Sequence, residues 1–337
     1  MLLNTFPVTG PVQNQADWIE LKCLSDEFNF MPVADIRSAI ELQDDYQDDD
    51  IAREDGEVEA EIDSILREIS SRKEHMNDTY PFQIEDGGSV VSLIAPIDEL
   101  TISQKVYLYC LIFSHIFNSP LLIVDGSPLP ADRDILQICA TIAAAGYVRG
   151  HSISFGFPRR DHSSFYDKAV EVVNLLGEGE LHPLKDVNPV HSLSPKDSGI
   201  DVITWEDSHD KRAGKRIYFS QVASGRNWRD KPVLHYIDIF RNYWLRKPIL
   251  SRINDAIFIP YEMMDDIDNH YTAEQLLESQ LSTLGTIFYR RRIPVHFKEG
   301  IQLKRDNDNL SIERIDECNK ISDYVDNKIN LLKTFAI

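Results

Sequence analysis

The residues with the clearest potential for chemistry lie in two predicted strands that follow one another along the chain. Segments 199–205, "GIDVITW", and 215–223, "KRIYFSQVA", are typical of strands and are joined by a polar loop. Since side chains two positions apart share one face of a strand, Gln221 stands on the same face as apolar Ile217. In an antiparallel hairpin, Asp201 at the start of the first strand comes close to Gln221. The pattern therefore predicts a carboxylate and an amide side by side.

A lysine follows the second strand, at the entrance of a predicted helix over 231–245. Pro232 has a fixed φ and no N–H, so it fits only the first turn of that helix and holds Lys231 at its start. Asp201, Gln221 and Lys231 can therefore converge on one small volume. A carboxylate and an amide oxygen can hold Mg²⁺, while an ammonium group stabilises charge on an attacked phosphate. These three residues form the candidate catalytic set, and their chemistry suits phosphodiesters.

The segments "DSGIDVITW" and "IYFSQVASGRNWRDK" resemble the PD-(D/E)xK nuclease superfamily, which has the restriction-endonuclease-like fold. The resemblance covers roughly residues 150–265 and matches Asp201 to the metal-binding aspartate of the family. Gln221 stands where the family usually has an acidic residue, and Ala223 stands where it usually has the lysine. The superfamily accepts Gln at the first position and can move the lysine to the following helix, where Lys231 would serve. The same stretch resembles bacterial proteins of mobile elements and anti-phage defence.

This resemblance implies a metal-dependent endonuclease that cleaves DNA, with Mg²⁺ or Mn²⁺ as its cofactor. Asp201 and Gln221 would bind the metal. Because an amide carries no negative charge, the metal would also depend on the main-chain carbonyl of Val222, on water and on the substrate phosphate. A site with so few carboxylates either works only when DNA or a protein partner completes it, or is inactive.

Two other interpretations stay open. One is a catalytically degraded subunit that keeps the nuclease fold and serves in partner or DNA binding and complex assembly. The other is an acidic regulator whose segment 43–63, "QDDYQDDDIAREDGEVEAEID", competes with DNA for a partner. The simplest interpretation of that segment is a solvated linker or helix face.

Four further features have two interpretations each. Glu171 supplies another acid to the site or lies on a solvated helix face. Asp197 is an outer carboxylate of the metal site or a turn residue. Trp228 anchors the packing at the strand–helix junction or stacks on a base. The segment 288–294, "FYRRRIP", contacts phosphates or ends a surface helix.

Composition limits the classes of function. The chain has 337 residues, of which 42% are hydrophobic, and its formal net charge of −20 argues against broad electrostatic binding of nucleic acid.

No apolar run approaches the length of about 18 residues that is needed to cross a bilayer, so no membrane association is expected. The start, "MLLNTFPVTG", does not have the pattern of a signal peptide. Four cysteines lie far apart without metal-ligand spacing, which favours buried thiols and a cytoplasmic protein. The Gly-rich loops that bind nucleotides are absent from the sequence.

The predicted fold is of the α/β class, with a restriction-endonuclease-like αβββαβ core around a mixed sheet and helical regions on both sides. The core is expected to use a helix at 163–177, capped by Ser164 and Asp167, and a short strand near 180–184, "ELHPL". The two strands above, the helix at 231–245 and a strand at 255–261 complete it. Five segments are predicted: an N-terminal segment 1–42, an acidic stretch and amphipathic helix 43–79, a hairpin and helices 80–150, the nuclease-like core 151–265 and a C-terminal helical region 266–337.

Overall fold

The computed structural model describes residues 1–47, 55–85, 87–117, 121–124, 129–187 and 199–334. The α-helices in these ranges are α1 (Val12–Ser25), α2 (Val33–Gln47), α3 (Asp55–Met76), α4 (Ile102–Phe117), α5 (Pro130–Val148), α6 (Phe165–Leu176), α7 (Leu234–Ile239), α8 (Ala273–Leu284), α9 (Arg292–Asp306) and α10 (Cys318–Thr334). The strands are β1 (Leu2–Leu3), β2 (Phe30–Pro32), β3 (Phe82–Glu85), β4 (Val90–Leu93), β5 (Leu122–Ile123), β6 (His151–Ser154), β7 (Glu180–Leu181), β8 (Val202–Glu206), β9 (Arg216–Val222), β10 (Leu245–Lys247), β11 (Ile253–Phe258) and β12 (Thr286–Phe288). None of the helices in the described ranges is long and apolar enough to span a bilayer.

A mixed five-stranded sheet in the order β12-β11-β9-β8-β6 lies at the centre of the α/β fold. Strand β8 runs antiparallel to both of its neighbours, β6 and β9. Strands β9, β11 and β12 run parallel to one another. The predicted α/β class is therefore confirmed.

Helices cover both faces of this sheet, because its side chains point alternately to either face. Ile203, Ile217 and Phe219 lie in an apolar cluster with buried residues of α6 and α7. Val202 and Phe258 point the other way, into a larger cluster that includes residues of α4, α5, α9 and α10. The result is a three-layer arrangement with the sheet in the middle.

Two glycines let α5 and α9 approach each other closely. A Cβ on Gly146 of α5 would lie 2.0 Å from the carbonyl oxygen of His296. A Cβ on Gly300 of α9 would lie 2.2 Å from the carbonyl oxygen of Ile142. Side chains at either position would push the helices apart, so the backbone contact depends on glycine.

Several predicted elements are confirmed. The hairpin predicted within 80–95 consists of β3 and β4, which pair antiparallel. The helix predicted at 163–177 is α6, and the Asp167 N–H donates to Ser164 Oγ at 3.1 Å. Residues 43–47 of the acidic stretch 43–63 form the end of α2, and residues 55–63 form the first part of α3. Residues 48–54 lie outside the described part of the chain. The segment boundary at residue 150 stays a prediction, although α5, which precedes it, packs on the sheet.

Three details of the predicted core are wrong. The short strand near 180–184 is β7, which pairs with β10 in a separate ribbon and does not join the central sheet. The first strand of the sheet is instead β6, whose residues "HSIS" do not alternate between polar and apolar types. The helix predicted at 231–245 begins later. A 3₁₀ helix, Arg226–Asp230, comes first, and α7 then continues as a π-helical segment, Phe240–Trp244.

Candidate functional site

Asp201 and Gln221 meet at one end of the β8–β9 hairpin. Val202 pairs with Ser220, and one further step of this register places Asp201 opposite Gln221. The Asp201 N–H donates to the Ser220 carbonyl at 2.8 Å. The Val222 N–H donates to Asp201 Oδ2, also at 2.8 Å. The predicted proximity of Asp201 to the end of the second strand is therefore present, and the carboxylate is anchored to the backbone there.

The side-chain oxygen of Gln221 is buried without a hydrogen-bond partner among the described residues. Gln221 follows Phe219 on the face that α6 and α7 cover, at the position where that apolar surface ends. A buried acceptor without a donor is unfavourable, so such an atom calls for a ligand or an ion. Gln221 Oε1 is thus able to accept a cation or a donor beside Asp201.

A second glutamine, Gln137 of α5, joins this group and was missed in the sequence. Its Nε2 donates to the Asp201 carbonyl at 2.6 Å and to Ser154 Oγ at 3.2 Å. A Cβ on Gly156 would lie 2.8 Å from Asp201 Oδ1 and 3.2 Å from Gln137 Oε1. The two oxygens therefore border the same small space. The signal in the sequence was a single amide in the apolar helix "ILQICATIAAAG".

No hydrogen bond or ion pair joins Lys231 to the other candidates within the described residues. Lys231 lies between the 3₁₀ helix and α7, where its N–H donates to the Trp228 carbonyl at 3.3 Å. Its side chain has no hydrogen bond or ion pair within the described part of the chain. Ala223, at the usual lysine position, is fully buried. Val222 is the last residue of β9, and its carbonyl remains a predicted metal ligand.

The remaining sequence candidates fall in different places. Trp228 is buried in an apolar cluster with Ala223, as expected of a packing anchor. Glu171 is half-exposed and pairs with Lys168 at 3.0 Å. Asp197 lies outside the described residues.

Basic side chains gather next to Asp201 at the same end of the sheet. A cavity of about 320 Å³ opens beside Ser154, the residue that Gln137 links to Asp201. Its charged lining residues are Arg159, Arg160, Asp161, Lys168, Glu313 and Arg314. Four of these six groups are cationic, but Arg160, Lys168 and Arg314 are paired with Asp316, Glu313 and Asp134, so an anion would compete with these carboxylates.

Arg290 and Arg291 lie just before α9 and Arg292 is its first residue, so the run stands at one end of a helix, and its contact with phosphates stays a prediction. Arg290 is fully buried and pairs with Asp17 at 2.6 Å. Arg291 pairs with Glu262 at 3.0 Å and with Glu68 at 2.5 Å. The partners lie on distant segments of the chain, so the local sequence could not reveal that Arg290 and Arg291 belong to an internal ion-pair network; Arg292 instead donates to the Ile287 carbonyl at 2.8 Å.

Within the ranges that the structure describes, no group of three or more His, Cys, Asp or Glu side chains could hold a metal ion. No protein-family model matches the chain, and comparison with curated proteins and with solved structures finds no similar protein. A functional assignment therefore depends on the geometry of the site itself.

Proposed function

We propose that this chain is a Mg²⁺- or Mn²⁺-dependent endonuclease with a restriction-endonuclease-like fold, and that it cleaves DNA. One observation carries the proposal: the β8–β9 register sets Asp201 opposite Gln221, whose buried Oε1 has no partner among the described residues. Both residues are the ones matched to the metal ligands of the PD-(D/E)xK superfamily.

The order of the elements supports this fold. Helix α5, strands β6, β8 and β9, helix α7 and strand β11 occur in the αβββαβ order along the chain, with α6 and β7 inserted after β6 and β10 inserted before β11. The active end of such a sheet would lie where β9 ends and β8 begins, which is where Asp201 and Gln221 meet. In the fold proposed for this chain, α5 is the first helix of the core, and it brings Gln137 to Asp201.

The donors at this end are the oxygen ligands that Mg²⁺ prefers. Asp201, Gln221 Oε1 and the Val222 carbonyl would hold the ion, and Gln137 fixes the main chain at Asp201. A bound metal would supply an activated water and would neutralise charge on the phosphate. Lys231 would approach that phosphate when DNA is bound and stabilise its developing charge.

The basic cavity beside Ser154 supports a nucleic acid substrate. Arg160 is exposed at its rim and Lys168 lies within it. The whole chain carries a net charge of −20, which opposes the binding of bulk DNA. A protein partner would therefore deliver the substrate, and bacterial anti-phage defence is the setting that the resemblance favours.

The first prediction concerns Asp201→Asn, which removes the charge of the metal-binding carboxylate and keeps its size. We expect cleavage of supercoiled and linear DNA in Mg²⁺ or Mn²⁺ to fall by about 100-fold or more, since the metal loses its charged ligand. Lys231→Ala should lower the rate as well. The matched control is Asp207→Asn, at the other end of the same hairpin, where Asp207 pairs with Lys215.

Circular dichroism would establish that all three variants are folded, and Mn²⁺ titration would report metal binding without reference to turnover. Cleavage that persists in Asp201→Asn would disprove the assignment of the site. Equal losses in Asp201→Asn and Asp207→Asn would mean that the hairpin has only a structural role.

A second candidate function is a degraded nuclease-fold subunit that binds a partner or DNA without cutting. The buried Ala223 at the usual lysine position favours it, as does the absence of a hydrogen bond or ion pair to the Lys231 side chain within the described residues. On this alternative, wild-type protein would not cleave DNA, and binding to its partner would survive Asp201→Asn.

A further inference from the structure

The edge of the central sheet at β6 is covered by the strap, residues 307–314, which follows α9. The Ser152 N–H donates to the Ser311 carbonyl at 2.8 Å, and the Glu313 N–H donates to the Ser152 carbonyl at 3.0 Å. The strap therefore runs beside β6 in the manner of a short parallel strand. It leads to Ser154, the last residue of β6.

The strap places the carboxylate of Glu313 in the basic cavity beside Ser154. Its Oε2 accepts a hydrogen bond from the Ser154 N–H at 2.9 Å, and its Oε1 accepts one from Lys168 Nζ at 2.6 Å. Gln137 links Ser154 to the candidate site, because its amide donates both to Ser154 Oγ and to the Asp201 carbonyl. Main-chain N–H groups and lysines are also donors that bind the phosphates of nucleic acids. The carboxylate therefore occupies donors that would suit a phosphate.

Lys168 has more negative partners than its single charge requires. Among the described residues, Glu171 lies 3.0 Å and Asp161 lies 3.8 Å from Nζ, in addition to Glu313. Burial raises the pKa of Glu313 despite the neighbouring ammonium, so its negative charge is poorly compensated. Lys168 would keep its ion pair with Glu171, on the same helix, if Glu313 left. The contact with Glu313 is therefore the one that another anion can replace.

Departure of Glu313 requires the rotation of a single side chain. The main chain of the strap is fixed before Glu313 by the two hydrogen bonds with Ser152. It is fixed after Glu313 by Arg314, whose guanidinium donates to both carboxylate oxygens of Asp134 at 2.7 Å. The side chain of Glu313 is 30% exposed, so it has a route to solvent. The strap can thus stay in place while the carboxylate leaves its donors.

A phosphodiester fits the vacated place better than inorganic phosphate does. A diester carries one negative charge, as the carboxylate does, so the exchange leaves the charge that faces Glu171 and Asp161 unchanged. Inorganic phosphate has an additional acidic oxygen and carries more than one charge at neutral pH, so these carboxylates would repel it more strongly.

We propose that Glu313 occupies the place of a substrate phosphodiester and thereby inhibits the binding of nucleic acid beside Asp201. DNA that a partner presents would displace the carboxylate from Lys168 and from the Ser154 N–H. This inference rests on the nucleic acid substrate proposed above, and its test measures binding without cleavage.

Glu313→Ala removes the competing carboxylate. We expect the affinity of the full chain for a fluorescently labelled DNA duplex, measured by anisotropy in EDTA, to rise by about tenfold. The matched control is Glu171→Ala, which removes a carboxylate from the same ammonium and leaves Glu313 in place. This control should change the affinity by less than about twofold.

Two further measurements locate the gain and identify the ligand. Lys168→Gln, added to Glu313→Ala, removes the ammonium and should return the DNA affinity to the wild-type value. Inorganic phosphate, titrated calorimetrically into Glu313→Ala, should bind at least about tenfold more weakly than the duplex. If Glu313→Ala does not fold, Glu313→Gln keeps an acceptor for the Ser154 N–H and is compared with Glu171→Gln.

Unchanged DNA affinity in Glu313→Ala would overturn the proposal, as would a lack of measurable DNA binding by this variant. Equal gains in Glu313→Ala and Glu171→Ala, or inorganic phosphate that binds as tightly as the duplex, would also overturn it. A gain in affinity without cleavage in Mg²⁺ or Mn²⁺ would support the inhibitory contact and contradict the proposed endonuclease. Cleavage by the wild type without a gain in affinity in the variant would do the reverse.

Discussion

At the scale of single residues, the proposed metal site differs by one charge from the pattern of the superfamily that the sequence resembles. An amide at Gln221 can donate an oxygen to a cation, yet it contributes none of the negative charge that draws Mg²⁺ from water. The amide also avoids the repulsion that two carboxylates, at 201 and 221, would suffer without metal. Gln221 therefore favours a site that is stable when empty and binds its ion weakly.

Gln221→Glu should reverse this balance. We expect affinity for Mn²⁺ to rise by about tenfold because the ligand set gains a charge. The melting temperature in EDTA should fall, because the introduced carboxylate would repel Asp201, and it should recover when Mg²⁺ is added. Calorimetric titration and thermal unfolding measure the two effects.

The control for this change is Gln280→Glu, since among the described residues the side chain of Gln280 in α8 bonds only to its neighbour Ser279. The same charge there should alter neither metal affinity nor the response of the melting temperature to Mg²⁺. Unchanged Mn²⁺ affinity in Gln221→Glu would show that residue 221 does not face the ion.

At the scale of elements, the sequence predicted the helices and strands that have a regular local residue pattern. The strands around Asp201 and Gln221 have alternating or apolar residues, and α6 has its own cap at Ser164, so both were predictable. Strand β6 owes its place to pairing with β8, and its four residues have no period of their own. Arg290 is buried because Asp17, from the other end of the chain, neutralises it. Pairing between residues that are far apart in the chain cannot be predicted from the sequence around either residue.

The glycine contact between α5 and α9 gives a prediction at this scale. Gly300→Ala would place a methyl group 2.2 Å from the Ile142 carbonyl oxygen, so the helices must separate. We expect the free energy of unfolding to fall by about 1–3 kcal/mol, as for other overpacked cores. The displacement of α5 should also lower the DNA cleavage proposed above, because α5 holds Gln137 at Asp201.

Urea unfolding measures the loss, and Gly56→Ala is the control. Gly56 is also helical, in α3, and a Cβ there would meet nothing within 4 Å. Alanine at that position should leave stability unchanged or raise it. Similar destabilisation by both substitutions would mean that the close approach of α5 and α9 is not what Gly300 provides.

At the scale of the whole molecule, the acidic net charge and the basic cavity act in opposite directions. A chain of −20 repels DNA at long range, whereas the cationic groups beside Ser154, three of them in ion pairs, would contact a phosphate only at close range. This combination favours substrate that a partner presents to one end of the sheet. Orientation, rather than overall charge, should then govern cleavage.

Charge reversal beside each end of the β8–β9 hairpin tests whether the position of a charge or the net charge governs cleavage. Arg160 is 61% exposed beside the cavity, and Arg212 is 85% exposed in the loop at the opposite end; each pairs with one or two acidic side chains. Arg160→Glu and Arg212→Glu change the net charge equally. For Arg160→Glu we expect kcat/KM for DNA to fall by about tenfold, and the salt dependence of kcat/KM to decrease by the amount that about one phosphate contact contributes. Arg212→Glu should have little effect on either quantity. Equal losses would mean that net charge alone controls the encounter, whereas a larger loss at Arg212 would place the DNA at the other end of the sheet, away from Asp201.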